Sequence, residues 1–452
     1  MRNVVRLWPL LVWMALLANA CGGGGEAVGS PPAEAVETGR GAEVVLVSQT
    51  AFLDRWGRFH IVGEIRNDST QALTGIELEV EISDAGGNSL LVDASGNRLP
   101  AERFAPMLVT LAPGEVAPFA YAYDMRLGTP DAYRVSVAAY QAGRAERANL
   151  VIERLTLTDD GRGMLYLTGE ILNVGSDWAQ IHALAGGVLD SDGVLLSADW
   201  TPVFMSMLAP AGDIGGRDRT PFVIPFPHPG AAARTPTLYV DADLAAPPPD
   251  LPVAVDNTNA YFDQYGAYHI VGALTNQTAL PLDLVLVAGL YAADGSVLDA
   301  AVQPLPLTLA PGEQMPFEVA SFTSLDYNPA LAGRLMSHAV RLDAGRLVSR
   351  AAPVRLATGG EQVVQAGSTL IVSGVVENAS GGPLGRITVL AALVDEAGAP
   401  LASGYAYLFP PAGAASIEPG ERLPYEIRIE MAPGVEAAQR RVVTLAQGEV
   451  GR

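Results

Sequence analysis

The chain has 452 residues, 49% of them hydrophobic, and a formal charge of −21, which is apolar material for several cores at an ordinary domain size of roughly 100 residues. The charge excludes nucleic acid and anionic lipid headgroups as general partners, because both need clustered basic side chains. One cysteine, Cys21, excludes an intrachain disulfide and leaves each domain to stand on its own packing.

In chain order, Arg2 and Arg6 precede an apolar run from Leu7 to Leu17, followed by small residues. This is the layout of a secretory signal, and the run is short for a transmembrane helix. Ala18-Asn19-Ala20-Cys21 resembles the lipobox of bacterial lipoproteins, with Ala18 where leucine is usual and Leu17 one place back. The resemblance implies a signal peptide over residues 1–20 and a lipid on Cys21 that holds the chain to a cell membrane or outer membrane, facing the periplasm or exterior. Residues 21–42 hold little that can be buried, so they read as a flexible tether.

Everything after residue 42 repeats one pattern four times. A strand-like stretch carries a glycine four residues before an asparagine: Gly63/Asn67, Gly169/Asn173, Gly272/Asn276 and Gly374/Asn378. The glycines lie 106, 103 and 102 residues apart, a domain-sized period. In the first copy Val44–Val47 and Phe59–Arg66 read as strands, and Asn67–Thr70 as a turn. Thr74–Ser83 alternates Ile76, Leu78, Val80 and Ile82 with Glu77, Glu79 and Glu81, the mark of a half-buried antiparallel strand. Asp84–Asn88 turns the chain and Leu90–Val92 returns; Leu111-Ala-Pro-Gly114 is the next turn, and Pro118–Tyr123 and Tyr133–Ala139 are the last two strands. Later copies keep the order, with turns at Leu208–Ala211, Leu309–Gly312 and Ile417–Gly420, each followed by Pro and an aromatic residue.

Short strands with regularly spaced turns and no long amphipathic helix predict an all-β chain of four tandem Ig-like antiparallel β-sandwich domains. Their bounds are 43–145, 146–245, 250–350 and 351–448, with linkers near Ala145–Ala148, at Ala245–Pro249 and near Arg350–Pro353. Placed end to end, four domains of nine-residue strands reach on the order of 120 Å. The pattern resembles the FxLYD-type domains of bacterial envelope proteins, whose namesake string is approximated by Leu78–Asp84 and Ala288–Asp294. That resemblance implies an Ig-like fold on secreted or lipid-anchored proteins and supplies no catalytic residues.

Candidate chemistry is sparse. His60 and His269 share one position in copies one and three, so a strand role explains them better than catalysis; His182, His228 and His338 stand apart. No thiolate metal site is available from one cysteine, and the sequence contains neither His-x-x-x-His nor Gly-x-Ser-x-Gly. Asp190-Ser-Asp192-Gly193 reads as a hairpin turn rather than a calcium loop, and Asp159-Asp160-Gly161 likewise. Asn67, Asn276 and Asn378 begin glycosylation sequons, but Asn173 keeps the asparagine without the acceptor pattern, so all four read as turn residues that adopt αL or bond their own backbone. Trp56, Trp178, Trp200, Tyr261, Phe262 and Tyr265 are the candidate aromatic binding face, with a packing role as the competing reading. The expectation is a non-catalytic binding or scaffolding protein without metal or cofactor, its partner an envelope protein or polysaccharide met by a free fourth copy. The rival readings are a carbohydrate-binding array and an enzyme with a site at a domain junction.

Overall fold

The computed structural model describes residues 43–450 apart from 125–127, 214, 231–234, 251, 322–328, 347, 350–351 and 438–439. Cys21 and the tether lie outside the described residues.

The first sandwich comprises β1 (Val44–Leu53), β2 (Arg58–Asn67), β3 (Leu73–Ser83), β4 (Glu102–Phe104), β5 (Thr110–Leu111), β6 (Val116–Asp124) and β7 (Ala132–Ala142). One sheet has the order β1-β2-β6; in the other, β3 pairs with β4, β5 and β7. All these pairings are antiparallel. Ile61, Ile65, Leu78, Val80, Ile82, Leu111 and Phe119 fill the space between the sheets. The alternation in β3 is realised, with the glutamates turned outward. Leu90–Val92 is not a strand, however. Leu90 donates to the Ile82 carbonyl and Val92 makes an isolated bridge to Arg98, because a second turn, Asp93–Gly96, interrupts the return and leaves the pairing to β4.

The second sandwich repeats the plan with β8 (Leu150–Asp159), β9 (Met164–Asn173), β10 (Trp178–Leu189), β11 (Leu195–Thr201), β12 (Met207–Leu208), β13 (Arg219–Pro227) and β14 (Thr235–Ala245). The third has β15 (Val253–Phe262), β16 (Tyr268–Asn276), β17 (Leu282–Asp283), β18 (Val285–Ala292), β19 (Val297–Pro304), β20 (Gln314–Ser321), β21 (Leu335–Leu342) and β22 (Val348–Ser349). The fourth has β23 (Val354–Leu356), β24 (Thr358–Ala366), β25 (Thr369–Glu377), β26 (Leu384–Val394), β27 (Pro400–Leu408), β28 (Arg422–Glu430) and β29 (Arg441–Val450). The sheets β13-β9-β8, β15-β16-β20 and β24-β25-β28 correspond to β1-β2-β6. The chain is all-β, four tandem Ig-like sandwiches; the one α-helix among the described residues is the single turn Pro329–Ala332.

The sandwiches are stacked face on face rather than end to end. In the second sandwich β11 packs on β2 and β6, in the third β19 packs on β13 and β9, and in the fourth β27 packs on β16 and β20. Ala185 of β10 joins the core cluster of the first sandwich, Val287 and Ala300 join that of the second, and Leu390 joins that of the third. Strands β9, β13 and β16 are consequently buried on both faces. Eight sheets at ~10 Å spacing span about 70 Å, not the ~120 Å of an end-to-end array. The physical reason lies in composition: β18 and the Val389–Val394 part of β26 are apolar on both faces, and a strand of that kind needs cover on each. The outermost faces are charged instead, with Glu77 and Glu81 on β3 and Glu426 and Arg428 on β28 exposed and Glu79 half-buried.

Candidate functional site

The repeated glycine and asparagine are one device in each sandwich. Asn67, Asn173, Asn276 and Asn378 are at most 1% exposed. In Asn276, Nδ2 donates to the carbonyls of Leu280 at 2.7 Å and Leu309 at 3.0 Å, and Oδ1 accepts the Thr278 N–H at 2.9 Å. Asn67 reaches Gln71 at 2.7 Å and Leu111 at 2.9 Å in the same way, Asn173 reaches Asp177 at 2.8 Å and Ala209 at 2.9 Å, and Asn378 reaches Gly382 at 3.1 Å and Ile417 at 2.8 Å. The carbonyls of Asn67, Asn276 and Asn378 accept the N–H of Gly114, Gly312 and Gly420, each at positive φ in the next turn. The asparagine therefore ties the end of its strand to the proline–glycine turn that launches the sandwich's last pair of long strands. Among the described residues only Arg154 and Asn257 are non-glycine residues at positive φ, so none of the four adopts αL. With both amide hydrogens engaged and buried, these side chains are not presented as sugar acceptors.

The glycine makes room for the aromatic ring of the strand across from it. Gly63 pairs with Phe119, Gly169 with Phe222, Gly272 with Phe317 and Gly374 with Tyr425. A Cβ on Gly272 would meet the Phe317 ring at 2.7 Å, and one on Gly374 would meet the Tyr425 hydroxyl at 2.6 Å. The Pro-Phe pattern and the glycine are thus two halves of one contact.

The acidic turns also resolve into backbone work. Asp190 Oδ1 accepts the N–H of Asp192 at 2.8 Å and of Val194 at 2.9 Å, closing the β10–β11 hairpin. Asp160 does the same for Arg162 and Met164. Among the described residues no group of three or more His, Cys, Asp or Glu side chains is arranged to hold a metal ion, and no helix is long and apolar enough to cross a membrane.

The polar chemistry gathers at the junctions between sandwiches. Arg147, in the connection between β7 and β8, is the centre of the first junction. It donates to Glu115 Oε1 at 2.7 Å, to Asp241 Oδ1 at 2.6 Å and to the Thr110 carbonyl at 2.9 Å. Asp241, fully buried, also accepts the N–H of Val109 at 3.1 Å and of Thr110 at 2.8 Å. The third junction has the same wiring: Arg355 donates to Glu313 and to the Thr308 carbonyl, while Gln447 Oε1 accepts the Thr308 N–H at 3.0 Å and an Arg355 guanidinium N–H at 2.8 Å. At the second junction Asp343 accepts the Ser206 N–H at 2.9 Å, and Arg346 binds Asp343 and the Phe204 carbonyl. In each case a side chain from the later sandwich grips the loop before the proline turn of the earlier one. Burial works against the Arg147 charge, but Glu115 and Asp241 outweigh it and raise the guanidinium's proton affinity. Arg147→Ala should cost the first junction about 2–3 kcal/mol by stranding the Asp241 carboxylate. Arg147→Lys should not restore it, because a lysine lacks the fork that grips Glu115 bidentately. Calorimetry of the full chain reads this as an earlier, separate melting of the first sandwich; an unchanged melting profile would refute the clamp.

A second set of contacts links sheet faces. Glu64 accepts the Tyr239 hydroxyl at 2.8 Å, and Glu170 accepts that of Tyr291 at 2.8 Å. Glu318 takes the Ser403 N–H at 2.9 Å. The two matched histidines lie on these faces. His60 Nε2 is 2.9 Å from Asp54 and stacks on Phe52; across the junction Asp199 is held up at about 6, raised by burial and drawn back by the Trp200 N–H and the His60 charge. His269 stacks on Tyr261, with Asp263 and Glu318 on its two nitrogens. Sequence comparison of the copies found the histidines but not Arg147, Glu318 or Asp343. Arg147 and Arg355, each at a linker, share a register between copies, as do Glu115 and Glu313 after the proline–glycine turn and Glu64 and Glu170 after the motif glycine.

The aromatic candidates do not form one platform. Tyr261 is buried and its hydroxyl donates to the Glu430 carbonyl at 2.8 Å, while Phe262 packs on Tyr268. Arg55 lies over Trp56 and Arg217 over Trp178. Trp200 and Tyr265 are exposed, on different sandwiches.

No family model matches this chain, and no curated protein matches it. Solved structures do. Red sea bream transglutaminase is 11% identical over 45% of this chain and 31% of its own, with a TM-score of 0.16. The native conformation of Escherichia coli alpha-2-macroglobulin is 12% identical over 91% of this chain and 32% of its own, with a TM-score of 0.12. The chain spans about a third of the length of these solved chains. Scores of this size carry neither activity nor partner across.

Proposed function

We propose that the chain is a lipid-anchored cell-envelope protein with a non-catalytic binding or scaffolding role. In this reading Cys21 carries the lipid, residues 21–42 are the tether, and four sandwiches of FxLYD type form a stack that holds its far end at a set distance from the membrane. One observation supports it above the rest: the repeated motif residues and the junction arginines are spent on holding sandwiches together. Asn67 to Asn378 tie turns, and Arg147, Arg346 and Arg355 tie neighbours. A stack with three clamped joints suits a spacer that presents one surface to an envelope protein. The polysaccharide reading draws only on scattered exposed rings such as Trp200 and Tyr265.

The test compares native cells carrying the wild-type chain with Cys21→Ser. Wild type should fractionate with membranes and crosslink to a defined envelope protein, and Cys21→Ser should lose both. Membrane retention of the serine variant would remove the lipid anchor from this reading. Binding to purified cell-wall polysaccharide without a protein crosslink would replace the protein partner with a glycan.

A further inference from the structure

His60 and His269 occupy equivalent strand positions but are wired differently. His60 meets one carboxylate, Asp54. His269 is 4% exposed and meets two, with Nδ1 2.8 Å from Glu318 Oε1 and Nε2 3.2 Å from Asp263 Oδ2. The Tyr261 ring lies over the imidazole, parallel to within 6°. The other oxygen of Glu318 crosses to the fourth sandwich, where it accepts the Ser403 backbone N–H at 2.9 Å. Glu318 is therefore shared between a titrating ring of the third sandwich and a strand of the fourth.

Only the imidazolium has an N–H on both nitrogens. The neutral ring has one, and it must then turn a lone pair toward one of two acceptor-only carboxylates. Asp263 from the β15–β16 turn and Glu318 from β20 meet the two ring nitrogens, and Glu430 from β28 lies close to Tyr261. Strand β27 contributes the Ser403 amide and hydroxyl and no charge.

We propose that the junction between the third and fourth sandwiches is a pH-sensitive joint, locked while protonated His269 bridges Asp263 and Glu318 and loosened when His269 loses that proton. Burial opposes the charge on His269, but the hydrogen bonds and charges of Glu318 and Asp263 outweigh it and raise its proton affinity above the ordinary histidine value. A raised value means that the locking is complete in acid and fades as pH climbs through it, so the joint tightens on acidification.

Hydrogen exchange of the peptide containing Ser403 reads the joint directly in the purified full-length protein. Wild type and His269→Gln are compared in the same buffer, so the chemical pH dependence of exchange cancels in their ratio. At about pH 5.5 the wild-type peptide should exchange roughly tenfold more slowly than the variant's, the effect of charge-assisted hydrogen bonds, and the ratio should approach one by about pH 9. Glu318→Gln keeps an acceptor for Ser403 but abolishes the charge, and its exchange relative to wild type must show the same pH dependence. This second comparison decides the matter if His269→Gln does not fold. Ratios that stay constant between the two pH values overturn the proposal, and they leave the anchored-scaffold reading untouched.

Discussion

Asn276→Asp should strongly destabilise the third sandwich at neutral pH while leaving the side chain's shape unchanged. The amide donates to the Leu280 and Leu309 carbonyls at 2.7 and 3.0 Å in a site with no exposure. A carboxylate there turns two attractions into two repulsions, and it brings no compensating donor. Each buried polar group left without a partner costs about 1–3 kcal/mol, so the total is about 4 kcal/mol or more, a large part of a domain's ~5–15 kcal/mol. The introduced acid has a raised proton affinity, because its charged form faces carbonyl oxygens. Stability should thus recover partly as pH falls and a proton supplies one donor. Urea denaturation followed at neutral and acid pH checks both statements. A loss under about 1 kcal/mol at neutral pH would mean that the asparagine is not what ties the strand to the turn.

The glycine prediction separates two kinds of crowding. Gly63→Ala places a methyl 2.2 Å from the Ser48 carbonyl oxygen and 2.5 Å from the Phe119 ring. Backbone cannot yield as a side chain can, so the cost should be about 4 kcal/mol or more, at the top of the range for single substitutions, and Phe119→Leu should not rescue it. For Gly374→Ala the three nearest atoms all belong to the Tyr425 side chain, at 2.6 to 3.0 Å. Tyr425→Leu should therefore restore much of the loss, giving a strongly non-additive double-mutant cycle. Thermal unfolding of the four variants and two pairs tests this, and equal rescue at both sites would contradict the Ser48 contact.

These two devices show what a repeat makes legible. The spacing of Gly63 and Asn67 recurs in four copies, and so does the proline turn, so their importance is visible from residues alone. Their partnership is not, because Asn67 and Leu111 are joined across 44 residues by a side-chain contact that no local pattern encodes. The role of the linker at Ala145–Ala148 was hidden for a related reason. Arg147 sits in a polar, alanine-rich stretch, and its worth comes from Glu115 and Asp241, which fold in from both sides.

What the sequence by itself determined is the number of copies, the antiparallel all-β class, most long strands and the turn chemistry. These depend on period-two patterning and on residues such as Gly114 and Asp190 whose local geometry is intrinsic. What only the tertiary structure decided is how the copies meet. The contrast between β3, with Glu77, Glu79 and Glu81 at alternate places, and β18 or the Val389–Val394 part of β26, apolar throughout, was present in the residues. An apolar face states that it must be covered but not by what. Hydrophobic burial is non-directional, and the choice of a neighbouring sandwich as cover was made by long-range contacts such as Arg147 with Glu115 and Glu318 with Ser403.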